Sequence, residues 1–197
     1  MKVVLASQNS HKLQEIQAIV KNYGIELILQ SELGLHIDVD ETGETFEENS
    51  FLKAKAVVDA TGLPAIADDS GLCVDVLGGA PGIYSARYGQ PECVTDHDRR
   101  MFLLRNLRGI RSEERTARFV CVITLLYPDG RKLVARGFAE GLITFEPRGE
   151  DGFGYDPVFY VPSHGCTFAQ MGAEKKNQIS HRANALKQLS RLLEENK

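Results

Sequence analysis

Residues 3–29 constrain the fold more tightly than any other stretch. Val3-Val4-Leu5-Ala6 is a continuous apolar run with the length of a buried strand. The polar turn Ser7-Gln8-Asn9-Ser10 follows it and can cap a helix. Leu13, Ile16, Ile19 and Val20 then recur at helical spacing up to Gly24, and Ile25 to Leu29 reads as a second strand. A strand, a capped helix and another strand predict an α/β domain.

The remaining pattern extends this reading. An acidic loop carries Asp38, Asp40, Glu41 and Glu44, and Thr45-Phe46-Glu47-Glu48 is a capping-box pattern. A helix is expected from Thr45 to about Thr61, with Gly62 ending it. Pro64 to Asp69 reads as a strand and Leu72 to Leu77 as a short alternating one, before the loop Gly78-Gly79-Ala80-Pro81-Gly82. Thr95 to Leu107 reads as a helix with Met101, Phe102, Leu104 and Leu107 inward. Thr116 to Tyr127 and Lys132 to Thr144 are strands of a long hairpin turned at Pro128-Asp129-Gly130. A second glycine-rich loop, Asp151 to Pro157, precedes a strand from Val158 to Val161. The last helix begins near Ser180 and has Leu186, Leu189 and Leu193 as its core stripe. Without repeats or linkers, residues 1–197 are expected to form one domain: a mixed β-sheet flanked by helices, in two lobes around a cleft.

Composition excludes several classes of protein. With 43% hydrophobic and 25% charged residues, the chain has the balance of a soluble globular protein. A net charge of -4 offers no global attraction to DNA, RNA or an anionic membrane. No apolar run is long enough to span a bilayer, and the apolar part of the N-terminus is too short for a secretory signal. Cys73, Cys93, Cys121 and Cys166 are scattered without a C-x-x-C pair, so reduced thiols in a cytoplasmic protein are expected.

Chemistry is suggested first by Ile66-Ala67-Asp68-Asp69-Ser70-Gly71-Leu72, where two adjacent acids follow an apolar run. Neighbouring carboxylates repel, and burial raises that cost. In a regular strand the two side chains point to opposite faces, so they cannot both grip one ion. One would then face a cleft, at the end of a strand where α/β proteins place ligand groups, and a divalent cation would offset its charge. The same residues also read as a simple turn rich in turn-formers. Mg2+ takes one or two carboxylates, waters and substrate phosphates, which makes Glu41 a candidate partner for Asp69.

Cations accompany these acids. The Ser7 to Ser10 loop and the helix after it would point N–H groups at an anion, with Lys12 adding charge. Lys53 shares a helix face with Asn49, whereas Lys55 lies on another face. Phe153-Gly154-Tyr155-Asp156 offers an aromatic ring and close backbone approach. His181 and Arg182 open a helix against its macrodipole, with Lys176 just before them, so an anionic or acceptor-rich neighbour would explain them. Each of these also reads as an ordinary cap, turn or solvated surface. Zinc-ligand spacing and the G-x-S-x-G, Walker and G-x-G-x-x-G fingerprints are absent from the sequence. Taken together, the parts suit an enzyme acting on a nucleoside triphosphate.

The motifs Ser7-x-Asn9-x-x-Lys12, Glu41-Thr42-Gly43-x-Thr45-Phe46-x-Glu48-Asn49 and Ala67-Asp68-Asp69-Ser70-Gly71-Leu72 resemble those of the inosine triphosphate pyrophosphatase family, the XTP/dITP diphosphatases. So do Gly79-Ala80-Pro81-Gly82-x-Tyr84-Ser85-Ala86-Arg87, Gly152-Phe153-Gly154-Tyr155-Asp156-Pro157 and Ser180-His181-Arg182. They follow in order across nearly the whole chain, with Pro91 to Arg115 as a variable part. The resemblance implies a homodimeric, two-lobed α/β enzyme that uses Mg2+ to hydrolyse deaminated purine nucleoside triphosphates to monophosphate and pyrophosphate. It implies that Ser7, Gln8, Asn9, Ser10, His11 and Lys12 hold the triphosphate, and that Lys53 and Ser70 contact phosphates. Glu41 and Asp69 would serve the metal, with Asp69 also the general base. Phe153, Gly154, Tyr155, Asp156, Lys176, His181 and Arg182 would surround the base. Two alternatives stay open: a pyrophosphatase for other modified nucleotides, and a nucleotide-binding regulator without catalysis.

Overall fold

In the computed structural model the described residues are 1–7 and 10–196, and for residues 10–12, 14 and 15 the backbone alone. Among them, seven strands are present: β1 (Lys2–Leu5), β2 (Glu26–Leu29), β3 (Ala65–Val74), β4 (Thr116–Leu126), β5 (Lys132–Ile143), β6 (Phe159–Val161) and β7 (Cys166–Thr167). The helices are α1 (Ser10–Val20), α2 (Phe46–Thr61), α3 (Asp96–Asn106), α4 (Ala173–Ile179) and α5 (His181–Glu195). The strands form one mixed sheet, flanked by helices, in the order β2-β1-β3-β4-β5-β6-β7. β1 runs parallel to β2, with Val3 opposite Leu27, and to β3, with Leu5 opposite Ile66. β6 is antiparallel to both β5 and β7. No helix among the described residues is long and apolar enough to cross a membrane.

Two compact units share this chain. The first comprises Met1–Asp69, Cys121–Gly137 and Asn184–Lys197. Its part of the sheet is apolar on both faces, because alternate residues of β1 point opposite ways. Val3 and Leu5 pack with Ile16 of α1 and with Ala185, Leu186 and Leu189 of α5. Val4 packs on the other side with Ala54, Val57 and Val58 of α2. That helix starts where the capping chemistry predicts: Thr45 Oγ1 accepts a hydrogen bond from Glu48 N at 3.1 Å. It stops at Gly62, whose φ of +67° is a left-handed conformation that side chains with a Cβ disfavour.

The second unit comprises Ser70–Val120 and Phe138–Ala183. Its core gathers Leu103, Leu104 and Leu107 of α3 against Phe119, Ile143, Phe159 and Phe168. Arg115 closes the C-terminal end of α3, donating to the carbonyls of Leu107, Ile110 and Thr144. That arrangement ties the helix to the strands and makes α3 a firm support.

Several expectations are corrected. β3 does not end at Asp69 but runs on to Val74, absorbing the start of the short strand expected from Leu72, and Asp75–Leu77 forms a 3-10 turn. Ser70 and Gly71 are turn-formers by composition, yet sheet pairing carries the strand through them. In α3, Leu103 is buried and Met101 exposed. Met101 lies two residues earlier, about 200° around the helix from Leu103. The sequence pattern also missed α4 and the two-residue β7, both too short for a periodic signal. The four cysteines are free thiols, with Cys93 and Cys121 buried.

Candidate active site

In the first unit, α2 brings together the acidic loop and the end of the Ile66-Ala67-Asp68-Asp69 run. Lys53 Nζ donates to Glu41 Oε1 and to Asp69 Oδ1, at 2.9 Å each. One turn earlier on the same helix, Asn49 Oδ1 accepts from Gly43 N at 2.8 Å, which fixes the turn just after Glu41. A Cβ at Gly43 would stand 2.7 Å from Asn49 Oδ1 and from Glu48 Cβ, so the close approach requires glycine there. Asn49 shares a helix face with Lys53, a face that in sequence also reads as solvated surface. It is instead fully buried and holds the loop that carries Glu41. Lys55, on the other face, pairs with exposed Asp59.

The electrostatics of this cluster follow from burial. Asp68 and Asp69 are both buried in β3, Asp69 at 8% exposure. Burial pushes the Asp69 carboxyl above the ordinary carboxylate range, and the Lys53 ammonium offsets that only in part. Burial also works against the Lys53 charge, but Asp69 and Glu41 outweigh it and hold its pKa above the usual lysine value. Asp69 Oδ2 is buried and, among the described residues, lacks a hydrogen-bond partner, as does Asn49 Nδ2. Asn49 also favours the ionised Asp69. Beside this cluster lies a cavity of about 460 Å³ lined by Ser7, Gln30, His36, Asp38, Glu41 and Lys53.

Of the expected phosphate loop, Ser7 lines that cavity. Gln8 and Asn9 lie outside the described residues, and Ser10, His11 and Lys12 are described only as the backbone of the first turn of α1.

The second unit holds a smaller pocket of about 200 Å³ lined by Phe119, Phe153, Tyr155, Asp156, His181 and Arg182, among others. Asp156 Oδ2 accepts from Phe153 N at 2.9 Å and from Lys176 Nζ at 2.5 Å. Lys176, which α4 supplies, sits 4.7 Å from the centroid of the Phe153 ring, a cation–π contact. His181 stacks on Phe119, the ring centroids 4.8 Å apart and the planes 15° apart. Tyr155 donates from its hydroxyl to Ser85 O at 2.9 Å, and burial raises that hydroxyl's pKa above its usual range. Gly152 must be glycine: its φ is +79°, and an added Cβ would meet Asp156 Oδ2 at 2.2 Å.

The expected base-side residues are therefore assembled around one pocket, Lys176 through its bond to Asp156. Ser70, expected at phosphate, lines the same pocket. Sequence reasoning missed Asp96 and Arg99, which also line it. As acid and base in the first turn of α3, paired with each other, they carry no local mark beyond an ordinary helix start; the bond from Gly154 N to Asp96 spans 58 residues.

Comparisons with known proteins place the whole chain among relatives of one family. A profile of the Ham1 family matches residues 3–192. A dITP/XTP pyrophosphatase of Thermus thermophilus is 51% identical over 189 residues, covering 96% of this chain and 90% of that one. The dITP/XTP pyrophosphatase of Escherichia coli O157:H7 is 50% identical, covering 95% of each chain. The structure of a HAM1 protein from Coxiella burnetii superposes with a TM-score of 0.92 at 46% identity, covering 99% of both chains.

Proposed function

The chain belongs to the Ham1 family, and from that premise we propose that it hydrolyses deaminated purine nucleoside triphosphates (ITP, dITP and XTP) to the monophosphate and pyrophosphate, clearing them from the nucleotide pool. The observation that carries the reading is Asp69, whose Oδ1 is paired with Lys53 and whose buried Oδ2 has no partner among the described residues. A buried acceptor left unpaired costs about 1–3 kcal/mol, so a site that keeps one has a use for it.

The donor set fits Mg2+. Glu41 and Asp69 already share one cation, the Lys53 ammonium, and both are hard oxygen donors. Among the described residues no group of three or more His, Cys, Asp and Glu could hold a metal by itself. Mg2+ suits such a site, because it commonly takes one or two carboxylates and completes its shell with water and substrate phosphates. Bound there, it would neutralise phosphate charge and favour displacement at phosphorus.

In this reading the carboxylate–lysine cluster takes the triphosphate and the aromatic pocket takes the purine. Asp69 removes a proton from the attacking water. The water oxygen bonds to the α-phosphorus as the bond from that phosphorus to the bridging oxygen breaks, and pyrophosphate leaves. A carboxyl with raised pKa is a better base near neutral pH than an ordinary one. Lys53 donates to phosphate oxygens, and Phe153 stacks on the base. Hydrogen-bond donors such as Arg182 donate to the oxygen at C6 of hypoxanthine or xanthine, where adenine carries an amine. A site built on such bonds can discriminate by about 10⁴-fold. The enzyme acts in this reading as a cytoplasmic homodimer.

The test is pyrophosphate release from ITP, XTP, dITP, GTP and dTTP, with and without Mg2+. Release from ITP and XTP well above GTP and dTTP, and only with the metal, is expected. dTTP as best substrate would overturn the purine assignment, and tight binding without release would make the chain a regulator instead.

A further inference from the structure

Phe153 is 64% exposed. A ring that a base is to stack on must present one face in a fixed place, and the Lys176 cation–π contact alone does not fix the plane of an exposed ring. Its backbone therefore has to be held. The stretch Gly152-Phe153-Gly154 is poor at holding itself, since Gly152 and Gly154 both have positive φ. An added Cβ at Gly154 would meet nothing within 4 Å, so glycine is there for conformation rather than for space.

The restraint comes from the first turns of α3. Gly154 N donates to Asp96 Oδ2 at 2.8 Å, and Arg100 Nη1 donates to Gly154 O at 2.7 Å. The peptide groups on both sides of Gly154 are thus gripped by residues one helical turn apart. Asp96 is itself held: its Oδ1 accepts from Arg99 Nη2 at 2.5 Å, and Arg99 Nη1 donates to Val94 O at 3.0 Å. The helix behind them is anchored at both ends. Thr95 and Asp98 form a capping box at its start, and Leu103, Leu104 and Leu107 are buried in the core at its end. The Asp96 carboxyl stays ionised well into acid: Arg99 and the Gly154 N–H outweigh burial and lower its pKa.

We propose that Asp96 and Arg100 are positioning residues for base recognition: they clamp Gly154 and so fix the face that Phe153 presents in the pocket. The proposal rests on the reading that this pocket takes the purine. Neither residue performs chemistry, so their loss should weaken what the base contributes and leave the phosphate end alone.

The experiment compares wild type with Asp96→Ala and Arg100→Ala, and with the milder Asp96→Asn and Arg100→Lys. It measures kcat and KM for ITP and inhibition by inorganic tripolyphosphate, which has no base. Each alanine variant should raise KM for ITP about tenfold, the scale of one lost stacking interaction. kcat should stay within about twofold and tripolyphosphate inhibition should not move, because the first-unit cluster is untouched. Asp96→Asn keeps an oxygen that can accept from Gly154 N, and Arg100→Lys keeps a donor, so both should recover most of the affinity. Unchanged KM in both alanine variants overturns the proposal, and so does a rise matched by equal loss of tripolyphosphate binding. If Asp96→Ala does not fold, Arg100→Ala with its lysine rescue decides. A wild-type enzyme that binds tripolyphosphate as well as ITP would sink the base reading and the clamp with it. Unchanged variants of an ITP-preferring enzyme would sink the clamp alone.

Discussion

The carboxylate cluster and the aromatic pocket are built by opposite means. Around Asp69 a buried carboxylate and two half-buried charges hold one another: Lys53 is 18% exposed and bonded to two acids. Around Phe153 the ring is exposed and its backbone is restrained by Asp96, Arg100 and Asp156. Charge satisfies charge over a range of geometries, so such a cluster can exchange an internal partner for a phosphate or a metal ion. A stacking surface works only if its plane is set beforehand, because its attraction has little reach. The two sets are joined by sequence, since Asp69 ends the first segment of its unit and Ser70 begins the other unit.

The contrast is broken most severely at Asp69. Asp69→Asn should lower kcat by about 10²–10⁴-fold, the usual worth of a positioned base, while ITP still binds. Near-normal turnover in a single-turnover assay would remove Asp69 from the reaction. Lys53→Met comes next. Losing charge-assisted bonds to phosphate should raise KM about tenfold or more, for tripolyphosphate inhibition as much as for ITP.

Acid should separate the two regions. Asp69 must be ionised to act as base, and burial raises its pKa in the metal-free site, so kcat/KM, which reports the free enzyme, should fall with decreasing pH at a point above the ordinary carboxylate value. The Lys53 charge lowers that pKa, so Lys53→Met should move the acid limb of kcat/KM to higher pH; a shift to lower pH would contradict the assignment. Asp96 shifts the other way, lowered by Arg99 and Gly154 against the effect of burial. Inosine monophosphate binding should therefore outlast catalysis as pH falls, which titration calorimetry across the same range would follow.

Phe153→Ala should raise KM for ITP by about 5- to 100-fold, the worth of one stacked base, without changing tripolyphosphate inhibition. The smallest effect belongs to Lys55→Ala. Its pair with Asp59 is exposed, so stability should change by less than about 0.5 kcal/mol and the kinetics not at all.

Legibility in sequence follows the range of the interactions. α2 was readable because its limits are local: Thr45 caps Glu48 N, and Gly62 takes a left-handed turn. The opening strand, helix and strand were readable because burial on both faces of β1 leaves an unbroken apolar run. β3 was cut short because Ser70 and Gly71 carry turn propensity that their strand neighbours override. Within the candidate site, Glu41, Lys53, Asp69 and the Phe153 to Asp156 loop stood out as acids, a lysine and an aromatic–glycine loop in local sequence, and the motif resemblance gave them their expected roles. Asp96 and Arg100 did not, since they act on Gly154 across 58 and 54 residues. Asn49 was visible as a helix neighbour of Lys53, but its bond to Gly43 gave it a different task from the one expected.

The central claim is that water, with Asp69 as base, attacks the α-phosphorus of a purine nucleoside triphosphate. Hydrolysis of ITP in ¹⁸O-labelled water, followed by mass analysis of both products, tests it directly. The label should appear in inosine monophosphate and be absent from pyrophosphate; label in pyrophosphate, or release of orthophosphate as the first product, would contradict the account.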